Sequence, residues 1–405
     1  FNVAEYESVL QERPSHLVLV VSEDLRGADT KAELFEKAVK ASLPGIVVIR
    51  PRDRELKLLG ASYPQSKHWM HGVLKPQLQA LAHEGPLVCN FTGGTKSITL
   101  SITDKSLGWD WLHYKAEGRG QTLQKLAWRG DSLEFLEEVD LIDAPVEEVA
   151  RLYAVATEPV PPNPLAKQPQ AFESAKAIWH ALSEPEHEAG KALHHLFQCL
   201  ANVWSNRRDK RYQKKRLELP LAEWLGRPAL TLPEQQWIQQ WQQLAPESIV
   251  IEEGVICLPG NKSRDALKAW LSSDWIEFLV EQWLIKGGVP EHQVVANLIS
   301  NPSELTDISM GGREVDVLVH YQGVSFCIEV KASLPSQNRV KGILQQIASL
   351  GERAGQTRKI LFVGPMFAQV MGDRWEELEK RCKADNIMLC MSPEQLFSAV
   401  GVRTT

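Results

Sequence analysis

Residues 313–332 read REVDVLVHYQGVSFCIEVKA. Two valine-rich runs flank Gln322-Gly323, a two-residue turn signal. Each run carries one carboxylate among its apolar residues, Asp316 in the first and Glu329 in the second. Strand side chains alternate between faces, so Val315, Val317 and Val319 share one face, and Phe326, Ile328 and Val330 share one face of the second strand. A hairpin folded about Gln322-Gly323 sets Val317 opposite Ile328, Val319 opposite Phe326 and Val315 opposite Val330. A slip of one residue would split the apolar sets. The same register places Asp316 directly opposite Glu329, with about 5 Å between their Cβ atoms, where like charges cost stability. Lys331 falls on the same face. Two carboxylates and an ammonium on one edge can hold a divalent cation and position a water beside it. The competing reading is a solvated polar stripe. Acids that face each other rather than lysines, and the Glu-x-Lys ending, weigh against it.

The pattern resembles the PD-(D/E)xK nuclease core, with Val315 where that name has proline. The resemblance implies a metal-dependent phosphodiesterase in which Asp316 and Glu329 hold Mg²⁺ or Mn²⁺. Lys331 would orient the attacking water or steady developing charge. It further implies an acid from a preceding helix. Segment 272–284, SSDWIEFLVEQWL, carries a helical apolar stripe of Trp275, Phe278, Leu279 and Trp283, with Glu277 and Glu281 four apart on another face. Glu277, which follows Trp275-Ile276, matches the helix acid and is the third expected metal ligand. Glu281 reads as part of a solvated helix face.

A chain of 405 residues is long enough for two or three domains. Its 43% hydrophobic and 24% charged content is that of a soluble globular protein. No apolar run approaches a membrane span. The six cysteines are scattered without CxxC pairs, against a disulfide framework or zinc site, and no secretory signal is visible, so a cytoplasmic protein is expected. The net charge of −6 gives no global pull on nucleic acid, so such binding needs a local patch. The run 206–219, NRRDKRYQKKRLEL, carries seven Lys or Arg. It could touch phosphates, or be a solvated helix face with a turn. Phe1 opens the chain, and a short preceding piece, a first strand, is expected.

Residues 1–155 alternate strand and helix patterns. HLVLVVSED, GIVVIRPRD and PLVCNFTGG read as buried strands, and 29–42 and 69–84 as helices between them. This βαβ spacing predicts a mostly parallel sheet covered on both faces. Segment 111–128 reads as an antiparallel hairpin around Gly118 to Gly120. Proline-rich 157–170 cannot continue a helix and reads as a linker. Residues 171–248 read as helical, with Trp179, Trp204, Trp224, Trp237 and Trp241 as core anchors. Segment 248–260 is a second hairpin, compatible with a winged-helix element. After the acidic hairpin come a helix (338–353), a strand (KILFVGP), a helix (373–384) and a strand (NIMLCM). The expected division is 1–155, a linker at 156–170, a helical connector at 171–264 and a last α/β domain at 265–405.

LVCNFTGGTKSITL, 87–100, is a strand, a small-residue turn and a helix start. Gly93 and Gly94 let backbone approach a ligand closely. Thr92, Thr95 and free helix N–H groups can donate to phosphate, and Lys96 adds charge. The stretch matches neither GxxxxGK[ST] nor GxGxxG, and a plain tight βα turn is the competing reading. Open α/β sheets bind ligands beyond the carboxyl ends of their strands. Ser22, Glu23 and Asp24 follow one strand and Arg50 ends another, so Ser22 and Arg50 are expected to line the same crevice.

Taken together, the two constellations resemble a known layout. Asn-x-Thr-Gly-Gly-Thr-Lys after a strand resembles the CARF domain, the sensor of cyclic oligoadenylates in type III CRISPR immunity. A CARF domain followed by a PD-(D/E)xK domain is the layout of its accessory nucleases. The resemblance implies an α/β protein with an N-terminal Rossmann-like CARF domain and a C-terminal restriction-endonuclease-like domain. It implies a homodimer with cyclic tetra-adenylate across the pair as allosteric activator, and a DNA substrate, an RNA substrate or both. Arg313 to His320 formally matches the Arg-x4–6-His motif of HEPN ribonucleases. Its place on a predicted strand across the acidic hairpin makes that a coincidence. The alternatives are an ungated restriction- or repair-type nuclease and a non-catalytic nucleotide-sensing regulator. Intact Asp316, Glu329 and Lys331 favour a nuclease, and the TGGTK turn in its βαβ setting favours gating.

Overall fold

The structure, a computed structural model, describes residues 3–25, 27–115, 122–152, 163–184, 187–205, 217–220, 225–227, 229–244, 250–252, 255–258, 274–299, 314–332, 357–371 and 375–402. Its first element is helix α1 (Val3–Glu12), which no sequence pattern had marked. Then come β1 (His16–Val18), α2 (Ala28–Ser42) and β2 (Val47–Ile49). The helical run expected at 69–84 begins earlier, with α3 (Tyr63–Trp69). It passes through a π turn (Met70–Leu74) into α4 (Lys75–Leu81). Next are β3 (Val88–Asn90), α5 (Lys96–Ile102), β4 (Trp111–Tyr114), β5 (Thr122–Arg129) and β6 (Ser132–Asp140).

The predicted parallel pairing holds for β1–β2 and β3–β4. The second sheet turns antiparallel at β5 and β6. The hairpin expected over 111–128 is β4–β5. It is extended by β6 through a turn at Gly130, whose φ of 60° suits glycine. β1 and β3 belong to separate sheets. A cavity of about 750 Å³ lies between them, lined by Val18, Val20, Val88 and Cys89 and by Leu78 and Ile98 from the helices.

Helix α6 (Val146–Leu152) leads out of this region. Of the expected linker, the described part is a single 3₁₀ turn, Pro164–Lys167, capped by Asn163. Helices α7 (Ala171–Ser183), α8 (Glu188–Ser205) and α9 (Leu232–Leu244) follow, with β7 (Leu217–Pro220), β8 (Val250–Glu252) and β9 (Val255–Leu258) in the order β7-β9-β8. The hairpin expected at 248–260 is thus β8–β9. β7 corrects the all-helical reading of 171–248, because Leu217–Pro220 finds a strand partner in β9. The basic run 206–216 lies outside the described residues.

The last unit holds α10 (Asp274–Lys286), β10 (Val294–Ile299), β11 (Glu314–Tyr321), β12 (Val324–Lys331), β13 (Arg358–Val363), α11 (Pro365–Met371), α12 (Trp375–Ala384), β14 (Ile387–Cys390) and α13 (Pro393–Val400). Its five strands lie in sequence order, antiparallel from β10 to β12 and parallel from β12 to β14. The expected helix at 338–353 and Arg313 lie outside the described residues.

One face of this sheet carries Val317, Val319, Phe326, Ile328, Val330, Ile360 and Phe362, all buried in a single core with Trp275, Phe278 and Leu279 of α10. Trp179, Trp237 and Trp241 enter the same core. Trp179 meets Trp283 edge-on at 5.1 Å. These tryptophans are core anchors, each fully buried large side chain contributing roughly 1.5–3 kcal/mol. The middle helices share this core with the sheet. Among the described residues, no helix is long and apolar enough to cross a membrane.

Candidate functional site

The β11–β12 hairpin has the predicted register from Val317 to Tyr321, Val317 pairing with Ile328 and Val319 with Phe326. The expected Val315–Val330 pair lies beyond the ladder, and Val315 packs with Leu318 and Cys327 instead of in the Val317 core. Gln322 and Gly323 both take positive φ, 51° and 67°, the handedness a two-residue hairpin turn requires. The ladder ends at Val317–Ile328. Beyond it Asp316 is not held opposite Glu329 by backbone pairing. Its carboxylate Oδ2 instead accepts the Val330 N–H at 2.7 Å. Both acids converge on Lys331, whose Nζ lies 3.3 Å from Asp316 Oδ2 and 2.6 Å from Glu329 Oε1. Asp316 and Glu329 are 7% and 2% exposed, so this is a buried charge cluster rather than a solvated stripe.

Burial pushes the Asp316 carboxyl above the usual range. Lys331 and the Val330 N–H pull it back, and the nearby charge of Asp274 pushes it up again. Burial also disfavours the Lys331 ammonium, but Asp316 and Glu329 outweigh that and hold it above an ordinary lysine. Asp274, at the start of α10, escaped the sequence reading. The signal was an acid three residues before Glu277, one helical turn away.

Glu277 is buried, 6% exposed. α10 is buried on almost every side rather than along one stripe, because it packs against α7 as well as the sheet. This corrects the reading of Glu281, which is half-buried. Burial, with the like charge of Glu291, pushes its carboxyl up to about 7. A carboxyl raised above its unfolded value near 4.5 binds more protons folded than unfolded between those pH values, so stability falls as pH rises from 4.5 to 7. Glu281→Gln is therefore expected to raise stability at pH 8 by roughly 1–3 kcal/mol and to change it little at pH 4. Urea unfolding at the two pH values checks this, and equal effects at both would contradict it.

The tightest three-donor group among the described residues is not the acidic hairpin. Glu7, Asp143 and His320 each offer an atom, all within 4.8 Å of one another. Asp316, Glu329 and Glu277 do not close to that spacing, because the Lys331 ammonium lies between the first two. Asp316 and Glu329, with the charge of Asp274 near Asp316, still suit a hard cation: these carboxylates outnumber the one ammonium by two, and a divalent ion would balance that excess. Most of the Glu7 group is engaged otherwise, with Glu7 Oε2 buried and accepting no hydrogen bond. Asp143 accepts Gly323 N–H at 2.9 Å and Gln293 Nε2–H at 2.7 Å, and Lys115 Nζ stands 4.0 Å from Glu7.

At the other end of the chain, the Thr92–Lys96 turn joins β3 to α5. Thr95 is the N-cap of α5, its hydroxyl accepting from Ile98 N–H and donating to Gly60 carbonyl at 2.6 Å. Thr92 Oγ1 accepts Lys115 N–H at 3.0 Å. Gly94 has φ 98°, and a Cβ on Gly93 would stand 2.2 Å from Glu5 Oε1 of α1. Ser22 is brought to this place. It is buried and hydrogen-bonds Asp24, which also accepts Gly60 N–H at 2.8 Å and Ala61 N–H at 3.1 Å. Ser22, Gly93, Gly94 and Thr95 line the cavity between β1 and β3. Arg50 is instead tied to Glu36 of α2, at 2.5 Å, so its charge is held on that helix. Gly60 and Glu5 were missed, since neither stands in a motif.

No family model matches the sequence, and no curated protein matches it. Solved structures do. Can2 from Sulfobacillus thermosulfidooxidans, solved in complex with cyclic tetra-adenylate, superposes with a TM-score of 0.61 at 16% identity, over 97% of this chain and 94% of that one. VC1899 from Vibrio cholerae gives 0.66 at 14% identity, over 98% and 93%. Both likenesses run through the N-terminal sheets, the middle helices and the five-stranded sheet alike, so the whole chain has the fold of Can2 and VC1899.

Proposed function

We propose that this chain is a cyclic-oligoadenylate-activated, metal-dependent endonuclease of the PD-(D/E)xK type, working as a homodimer on DNA, RNA or both in type III CRISPR defence. The observation that carries the reading is the buried Asp316–Lys331–Glu329 cluster in the same chain as a glycine turn opening on a cavity. The fold shared with Can2, a protein solved with cyclic tetra-adenylate, supports it.

In this reading Asp316, Glu329 and Glu277 hold Mg²⁺ or Mn²⁺, which when bound supplies Lewis acidity toward a phosphodiester. Lys331 pairs with both carboxylates and holds a positive charge where phosphate charge develops. The apolar face of the hairpin, anchored by Val317, Val319, Phe326 and Ile328, keeps the acids from moving. The turn at Thr92, Gly93, Gly94, Thr95 and Lys96, with Ser22 beside it, receives the activator. Backbone N–H groups and the Thr95-capped start of α5 face phosphate, and Lys96 adds charge. Two copies would meet a ring of near two-fold symmetry. Arg50 would join only by leaving Glu36.

Lys96→Ala is expected to raise the half-activating concentration of cyclic tetra-adenylate roughly ten- to a hundredfold, one charge-assisted contact per subunit being lost. The maximal rate should stay near that of the native chain. A cleavage titration checks this. An unchanged titration curve would remove Lys96 from the site.

A further inference from the structure

The hairpin that bears the acids is clamped at its far end by the sensor region. Asp143, in the segment leading into α6, accepts the N–H groups of both turn residues, Gly323 at 2.9 Å and Gln322 at 3.3 Å. Lys115 Nζ donates to the Gly323 carbonyl at 3.1 Å. His320, fully buried on β11, presents Nε2 to Glu7 Oε1 of α1 at 2.7 Å, and its Nδ1 lies 3.0 Å from Ser325 Oγ across the hairpin. A carboxylate only accepts, so Nε2 carries the proton toward Glu7. Glu7 Oε1 also takes Ala144 N–H at 3.2 Å, and Val146 and Ala150 of α6 pack on Val315, Leu318 and Cys327.

Both legs of this clamp return to the glycine turn. Lys115 N–H donates to Thr92 Oγ1. Glu5, two residues before Glu7 on α1, crowds Gly93. At the other end, Asp316 stands four residues from His320, about 13 Å along β11. A buried, hydrogen-bonded strand moves as a unit, so a shift of α1 or of Lys115 reaches Asp316 without new contacts.

Building on the gated-nuclease reading, we infer that His320 and Lys115 are positioning residues: they couple occupancy of the Thr92–Lys96 turn to the placement of Asp316 through the Glu7–His320 and Thr92–Lys115–Gly323 contacts. Ligand can act through them only if it binds the two arrangements of this junction unequally. Neither residue touches the reacting atoms.

The test uses the full chain, cyclic tetra-adenylate, Mn²⁺ and labelled nucleic acid, at ligand concentrations that saturate binding by calorimetry. His320→Gln and Lys115→Met are each expected to bind ligand yet lose at least tenfold of the ratio of stimulated to unstimulated cleavage. Loss of general stability would lower both rates and leave that ratio intact. Hydrogen exchange on the unaltered chain gives an independent reading: ligand should change protection at Gln322, Gly323 and the β11 amides. A full stimulation ratio in both variants overturns the inference, as does unchanged exchange across 314–331. So does stoichiometric bound metal that His320→Gln removes, which would make the cluster a metal site. If the unaltered chain binds no ligand or is not stimulated by it, the gating reading falls first and the coupling with it.

Discussion

Glu329→Gln is expected to lower metal-dependent cleavage on the order of 10³-fold or more, with the fold and ligand binding retained. The substitution keeps the shape of a side chain that is 2% exposed and removes only its charge. Loss of an outer partner of a metal ligand typically costs 10–100-fold, and a group in the ligand set itself should cost more. Lys331 then loses the closer of its two carboxylates, at 2.6 Å, and is left with Asp316 at 3.3 Å. Asp316→Asn should be similarly severe, with the fold retained because an amide Oδ1 can still accept the Val330 N–H. Initial rates across a Mn²⁺ series, beside thermal melts, separate lost cleavage from lost fold. A Glu329→Gln protein cutting at the native rate, or native activity undiminished in excess EDTA, would remove the metal cluster from the mechanism.

Gly94→Val is expected to weaken binding of a cyclic oligoadenylate by about 10²-fold or more. Gly94 has φ 98°, outside the range β-branched residues adopt without strain. Holding valine there costs about 1–3 kcal/mol, and the turn escapes by flipping its backbone N–H groups away from where phosphate would lie. Gly93→Ala acts differently, since its Cβ would collide with Glu5 Oε1, the end of a flexible side chain that must swing aside. Calorimetry with cyclic tetra-adenylate reads both. Native affinity in Gly94→Val would place the activator elsewhere.

The hairpin register could be read from residues 313–332 because its turn is local and its apolar sets are unmistakable. The same holds for the Thr92–Lys96 turn and the buried tryptophans. The position of Asp316 was only half legible: the ladder ends one residue early, and the acid takes a backbone N–H that no pattern announces. α1 and β10 went unseen because their residues make sense only against partners far along the chain. The Glu7–His320 bond joins residues 313 apart in sequence, a separation that periodicity does not span. Glu281 looked solvated because charge on a helix usually is. Its burial follows from packing of α10 on two layers, which amphipathicity alone does not encode.

A single cleavage assay decides whether one chain joins a nucleotide-gated switch to a metal-dependent nuclease. The purified chain is given Mn²⁺ or Mg²⁺ and labelled DNA and RNA, with and without cyclic tetra-adenylate. Cleavage of at least one nucleic acid is expected to need both the metal and the cyclic ligand. Cleavage that proceeds equally without the ligand, or none under any combination, would contradict it.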